Sequence, residues 1–140
     1  VRAYDPAGIS EDIYLGHGIG IAAGAMTGRV VFILEEIDKW RDLEPDTNVI
    51  LARSDTVPDD IREIYAADGL LTARGGVTSH ASVVAHRLGK TCVVGCGELI
   101  CDERKKRCML KDEEIDDGDF ISIDGQEGSV YSGKLKINEE

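Results

Sequence analysis

The stretch Thr72-Ala73-Arg74-Gly75-Gly76-Val77-Thr78-Ser79-His80-Ala81 joins an extended apolar run to the start of a periodic one. Leu70 to Ala73 reads as a short buried strand. A glycine pair, two hydroxyl residues and a histidine follow. From Ala81 the apolar residues fall at Ala81, Val84, Ala85 and Leu88, the i, i+3, i+4, i+7 spacing of a helix. Gly89 stands where a left-handed C-terminal cap is expected. His80 therefore belongs to the first helical turn, with Thr78 or Ser79 as cap. Free backbone N–H groups and the positive end of the helix dipole gather there, which favours an anion.

Outward from that stretch the chain alternates. Val49 to Ala52 is an apolar strand. Ser54-Asp55-Thr56-Val57-Pro58-Asp59-Asp60 carries cap residues, a first-turn proline and early carboxylates, so a helix is expected to start there. Ile61, Ile64 and Tyr65 are its expected buried stripe, and Asp68-Gly69 its end. Thr91 to Val94 is a third strand. Strands alternating with helices predict a parallel βαβαβ core with right-handed crossovers. Sites in such sheets lie at the carboxyl ends of the strands, where the glycine–histidine stretch falls.

The flanks are simpler. Val1 to Leu15 shows no firm period and reads as a leading linker. Gly16 to Gly28 holds five glycines without the G-x-G-x-x-G spacing of a dinucleotide loop, so tight turns and close backbone approach are expected. Arg29 to Leu34 predicts a strand, and Ile37 with Trp40 a short helix. Asp102 to Arg107 reads as a solvated charged loop or edge and Ile115 to Asp119 as a turn. Phe120–Asp124 and Ser129–Tyr131 form a hairpin across Gly125–Gly128. Lys134 to Glu140 reads as a strand end or an exit linker, which leaves residues 16–133 as one domain.

Composition narrows the function. The chain has 140 residues, 42% apolar and 31% charged, as in globular proteins, and a net charge of −11. That charge argues against nucleic acid and anionic membrane as partners. The basic run Arg104 to Arg107, with acidic residues on both sides, does not reverse it. No apolar run approaches the roughly 20 residues of a membrane span, and the opening residues lack a signal-peptide core. Without an initiator Met the chain is expected to be an excised or processed piece. Cys92, Cys96, Cys101 and Cys108 contain no C-x-x-C pair, so free thiols in a reducing cytoplasm are expected, with no metal site.

The chemistry of His80 has two readings at this level, a surface or capping residue and a phosphoryl acceptor. A nucleophilic imidazole must be neutral, and a helix N-terminus disfavours imidazolium. Gly75 and Gly76 let a phosphate approach the backbone. Thr78 and Ser79 offer hydroxyls to hold the ring or the phosphoryl oxygens, and Arg74 offers local positive charge. A G-x-S-x-G elbow and an H-E-x-x-H zinc helix are both absent. His17 reads as structural, and His86 is expected to face solvent.

Taken together, Gly75-Gly76-Val77-Thr78-Ser79-His80-Ala81-Ser82-Val83-Val84-Ala85 resembles the phosphohistidine, or swivelling, domain of the phosphoenolpyruvate-utilising enzymes. The likeness runs back through Thr56-Val57-Pro58-Asp59-Asp60-Ile61 and Ala66-Ala67-Asp68-Gly69. It runs forward through Gly89-Lys90-Thr91-Cys92-Val93-Val94-Gly95-Cys96 and Asp117–Gly125. Thr72-Ala73-Arg74, Ser79 and Gly89-Lys90 with Cys92 and Cys96 are most similar to the pyruvate, phosphate dikinase type. Phosphoenolpyruvate synthase and enzyme I of the sugar phosphotransferase system fit less closely.

The resemblance implies an α/β fold, a three-layer β/β/α swivelling domain. It implies that His80 takes the β-phosphoryl group of ATP at a separate ATP-grasp domain and passes it to pyruvate at a separate α/β barrel. Mg2+ would be held by those partner domains and not by this chain. Thr78 matches a threonine that is a regulatory phosphorylation site in plant members. Two departures stand out. The family's proline-containing early segment is Gly20-Ile21-Ala22-Ala23-Gly24-Ala25 here, and His86 replaces a usual arginine. A dikinase-like relative with another acceptor and a non-catalytic binding module of the same fold are the alternatives.

Overall fold

The computed structural model describes residues 2–4, 14–22, 24–55, 61–76, 80–102, 104–111, 113–133 and 137–139. Four strands form a parallel block: β4 (Ala25–Val31), β5 (Val49–Arg53), β6 (Gly69–Thr72) and β7 (Thr91–Val94). The helices α1 (Leu34–Leu43), α2 (Ile61–Ala66) and α3 (His80–Leu88) connect them. The expected βαβαβ core is thus present and is extended by one further βα unit. Its strands are continuous apolar runs because both faces are covered. Val49, Leu51, Leu70, Cys92 and Val94 meet Ile37, Ile64, Ala67, Ala81 and Ala85 on the helix side. Ile50, Ala52, Leu71 and Val93 point the other way, into a second core with Phe32, Ile121, Ile123 and Val130.

Antiparallel strands cover that second core. The hairpin of β11 (Phe120–Asp124) and β12 (Ser129–Ser132) pairs with β4 through β11, as the sequence predicts. Two more strands, β2 (Tyr14–His17) and β3 (Ile19–Ala22), lie at opposite ends of the order β2-β12-β11-β4-β5-β6-β7-β3. Only Gly18 separates them in the chain. One extended segment therefore pairs first with β12 and then with β7, and the eight-stranded sheet curls round to meet itself. A small sheet of β8 (Ile100–Asp102), β9 (Arg107–Leu110) and β10 (Glu113–Asp116) supplies Cys108, Leu110 and Ile115 to the same core. Helices, parallel strands and antiparallel strands make the three layers of a β/β/α fold.

The glycines of 16–28 act as close-approach residues within strands. Gly18 N–H donates to Gly128 O at 2.7 Å, and a Cβ on Gly20 would stand 2.6 Å from Gly125 O. Several elements differ from expectation. The strand expected over Arg29 to Leu34 starts earlier and stops at Val31, since Leu34 already opens α1. Tyr65 is 57% exposed, not part of the buried stripe of α2. That helix has only six residues, and the buried positions follow i, i+3 steps through Ile64 to Ala67, just beyond its end.

The expected charged loop or edge at Asp102 to Arg107 runs from the end of β8 to the start of β9 with a turn at 104–106, and the expected turn at Ile115 to Asp119 takes in the last two residues of β10 and turns at 117–118. The segments read as linkers carry β1 (Arg2–Tyr4) and β13 (Ile137–Glu139), which pair antiparallel. The helix-start signal at Thr56 to Asp60 lies outside the described residues.

Helix α1 is tied down at both ends. Glu36, 4% exposed, accepts hydrogen bonds from the N–H of Phe32 at 2.7 Å and of Ile33 at 3.2 Å, supplying the acceptor that free N-terminal donors need. Arg29 stacks on Trp40 and Phe120, with its guanidinium carbon 4.3 and 4.2 Å from the ring centres, and forks onto Glu44. Burial, aided by the nearby Asp117, pushes the Glu36 carboxyl above its ordinary range. For Asp117, burial acts upward, but hydrogen bonds from Lys39, Trp40 and Glu36 outweigh it and hold its carboxyl low.

A carboxyl whose folded pKa is raised favours folding most below its unfolded value, about 4.3, and loses that contribution as pH rises through the folded value. Asp117 works in the opposite direction, losing its contribution as pH falls below about 3.9. Glu36→Gln keeps the acceptor and removes the ionisation. Urea unfolding at pH 4 and pH 8 should therefore show the variant gaining on the wild type as pH rises, by up to about 1.4 kcal/mol per unit of pKa displacement. A constant difference between the two pH values would count against this reading.

Candidate functional site

The carboxyl end of β6 runs straight into the glycine pair. Parallel pairing continues past the strand, with Ala73 N–H donating to Arg53 O at 3.2 Å and Arg74 N–H to Ser54 O at 3.0 Å. From the other side Cys96 N–H donates to Thr72 O at 3.1 Å. Thr72, fully buried, turns its hydroxyl onto Arg74 O at 2.6 Å. The loop thus leaves the sheet from a base fixed on three sides. Gly75 follows at φ 113°, a backbone region that L side chains rarely adopt. Its carbonyl abuts Gly95, where a Cβ would come within 2.9 Å.

Gly76 differs from Gly75. Its φ is ordinary, and no described atom lies within 4 Å of the place a Cβ would occupy. Conformation calls for glycine at 75, whereas at 76 neither the φ nor a described neighbour does. Ser82, 1% exposed, donates its hydroxyl to Gly76 O at 2.5 Å and so ties α3 back to the loop.

His80 is the first residue of α3. The far end of the helix closes as expected. Gly89 has φ 69°, its N–H bonds to His86 O and the Lys90 N–H to Ala85 O, the paired bonds of a Schellman cap. Thr78 and Ser79, with Val77, lie outside the described residues. Of the residues singled out in the sequence, Arg74, Gly75, Gly76 and His80 are therefore brought to one end of the parallel sheet.

Arg74 is exposed there, and the neighbouring strand end also carries an arginine. Arg53 ends β5 opposite Thr72 and donates from Nε to Phe32 O at 3.0 Å. It escaped the sequence reading, although a basic residue closing the strand beside β6 was the signal. These two arginines give positive charge to this end of a chain whose net charge is −11.

Positions 80, 83, 84 and 87 share one face of α3. Beside it runs an open cleft of about 570 Å³ lined by Gly20, Ile21, Ser82, Val83, His86 and Arg87. Val83 is 46% exposed and Ile19, across the cleft's rim on β3, 42%. His86 is exposed, as expected, and so is His17 at the end of β2. Among the described residues no group of three or more His, Cys, Asp or Glu converges as metal ligands would.

A family model described as "PEP-utilising enzyme, mobile domain" matches residues 45–128, a span holding β5, α2, β6, the glycine loop, α3 and β7. The chain belongs to that family. Curated relatives of this mobile domain include pyruvate, phosphate dikinase 1, chloroplastic, of Arabidopsis thaliana, 44% identical over 96% of the chain. Pyruvate, phosphate dikinase of Clostridium symbiosum is 39% identical over 97% of it, and that of Rickettsia typhi 42% over 88%. The mobile domain spans about 14% of the length of the Arabidopsis and Rickettsia relatives and 15% of the Clostridium one. A solved Enzyme I structure overlaps 64% of this chain and 31% of its own, with TM-score 0.43 and 26% identity, too slight a likeness to argue from. No helix among the described residues is long and apolar enough to cross a membrane.

Proposed function

We propose that this mobile domain is the phosphoryl carrier of a pyruvate, phosphate dikinase-type phosphotransferase, with His80 as the nucleophile. The observation behind the reading is the position of His80. It opens a helix that begins where a pinned glycine loop leaves the carboxyl end of a parallel strand. A phosphoryl group bonded to an imidazole nitrogen there meets the positive end of the helix dipole and the N–H groups of the first turn. Gly76 leaves space for its approach, and Arg74 with Arg53 offsets its charge.

The β-phosphoryl group of ATP is taken up at an ATP-grasp domain and delivered to pyruvate at an α/β barrel, giving phosphoenolpyruvate. Both domains, and the Mg2+ that supports each transfer, belong to other parts of the parent enzyme. Thr78 is proposed as a regulatory phosphorylation position and, with Ser79, as a partner of the ring or of the phosphoryl oxygens.

The test supplies ATP labelled in its β-phosphoryl group, Mg2+ and a nucleotide-binding domain from the parent enzyme. Label that is stable in base, labile in acid and missing from His80→Ala is the expected result. Label that persists in His80→Ala would overturn the assignment.

A further inference from the structure

The small sheet sets two thiols face to face. In the antiparallel ladder of β8 and β9, Cys101 is the registered partner of Cys108. Directly opposed residues of such a pair stand about 4.5–5.5 Å apart at Cα, within the roughly 4.4–6.8 Å that a disulfide bridges. Strand alternation turns both toward the core: Cys108 is 1% exposed between the outward Arg107 and Met109, and Cys101 is half-buried between the outward Ile100 and Asp102. Both are free thiols.

The two sulfurs differ in readiness. Contact with the Cys101 sulfur, then burial, pushes the Cys108 thiol far above its ordinary range, so Cys108 keeps its proton while Cys101 is its neighbour. Cys101 is also the more exposed. The other thiols offer less. Burial pushes Cys92 up to about 12 on the helix side of the sheet, and Cys96, raised chiefly by burial, is fully enclosed.

We propose that Cys101 and Cys108 form a reversible dithiol–disulfide site, with Cys101 the first to react and Cys108 the resolving thiol. The oxidant is a low-molecular-weight disulfide such as oxidised glutathione. The Cys101 thiol gives up its proton, and its sulfur attacks one sulfur of the oxidant; the oxidant's S–S bond breaks and one glutathione thiolate leaves. Cys108 then gives up its proton and attacks the Cys101 sulfur, the mixed disulfide breaks, and the second glutathione thiolate leaves. The protein loses two protons and two electrons, and the oxidant becomes two thiols. The proposal is independent of the phosphoryl chemistry. Its site nonetheless adjoins the glycine loop, for Ser54 donates its hydroxyl to Cys101 O at 3.4 Å and accepts the Arg74 N–H on its own carbonyl.

Native chain is treated with oxidised glutathione, denatured and labelled with a maleimide. The expected count of reactive thiols falls from four to two, and peptide mapping finds the Cys101–Cys108 link, which dithiothreitol removes. Cys108→Ser should hold one glutathione on Cys101, and Cys101→Ser should take up neither glutathione nor a link at Cys108. A full thiol count after treatment, a link between another pair, or no glutathione on Cys101 in Cys108→Ser would overturn the proposal.

Discussion

His80→Asn in the full-length parent enzyme is expected to stop phosphoryl transfer in both directions. If one imidazole accepts the group at the nucleotide site and donates it at the pyruvate site, both half-reactions pass through the same nitrogen. Exchange of label between ATP and AMP and exchange between phosphoenolpyruvate and pyruvate should then fall together, by at least about four orders of magnitude. Asparagine is compatible with a first-turn position of a helix, and the Ser82–Gly76 and Gly89 contacts that hold α3 do not involve the imidazole. Thermal unfolding should therefore move little. Loss of one exchange with the other intact would show that the carrier is a different residue.

Gly128→Ala is the substitution expected to cost most in stability. Gly128 has φ 82°, which alone disfavours an L side chain by roughly 1–2 kcal/mol. A Cβ there would also overlap the carbonyl oxygen of Gly18 and stand 2.8 Å from its carbon and 2.9 Å from Gly20 N. Those are backbone atoms at the corner where β2 passes into β3, and they cannot turn aside as a flexible side chain can. The hydrogen bond from Gly18 N–H to Gly128 O is strained by the same displacement.

The total should reach roughly 3 kcal/mol or more, lowering Tm by about 10 °C. Gly76→Ala supplies the contrast. With no described atom within 4 Å and an ordinary φ, it should leave Tm within about 1–2 °C of the wild type. If Gly76 admits the phosphate, the same variant should still transfer phosphoryl groups more slowly in the parent enzyme. Equal melting of Gly128→Ala and the wild type would mean that the corner can relax at little cost.

The residues that revealed themselves in sequence are those whose role is local. The apolar runs at Val49–Ala52, Leu70–Thr72 and Thr91–Val94 are buried on both faces and could hardly be anything but interior strands. Gly89 marks the end of α3 because a left-handed cap is a property of two adjacent turns. The small sheet was hidden for a physical reason. In Arg107-Cys108-Met109-Leu110 only alternate residues face the core, and its strands are three or four residues long, so outward charges dominate any window across them. Arg53 was hidden differently: its place beside the glycine loop depends on the register of β5 against β6, which is a fact of the assembled sheet. The same holds for Gly18 and Gly128, 110 positions apart in number and in contact in space.

The corner at Gly18 also governs how the domain meets other chains. A sheet ordinarily ends in two strands with a row of unused donors and acceptors, and such rims invite strand addition. Here one chain segment serves as both margins. Among the described residues, two half-strands of four residues, Tyr14–His17 and Ile19–Ala22, border the join of the eight-stranded sheet. The small sheet does keep open margins, but Asp102 and Glu113-Glu114 place carboxylates along them, which repel an incoming strand. Among the described residues, the eight-stranded sheet therefore leaves an incoming strand little open backbone on which to add.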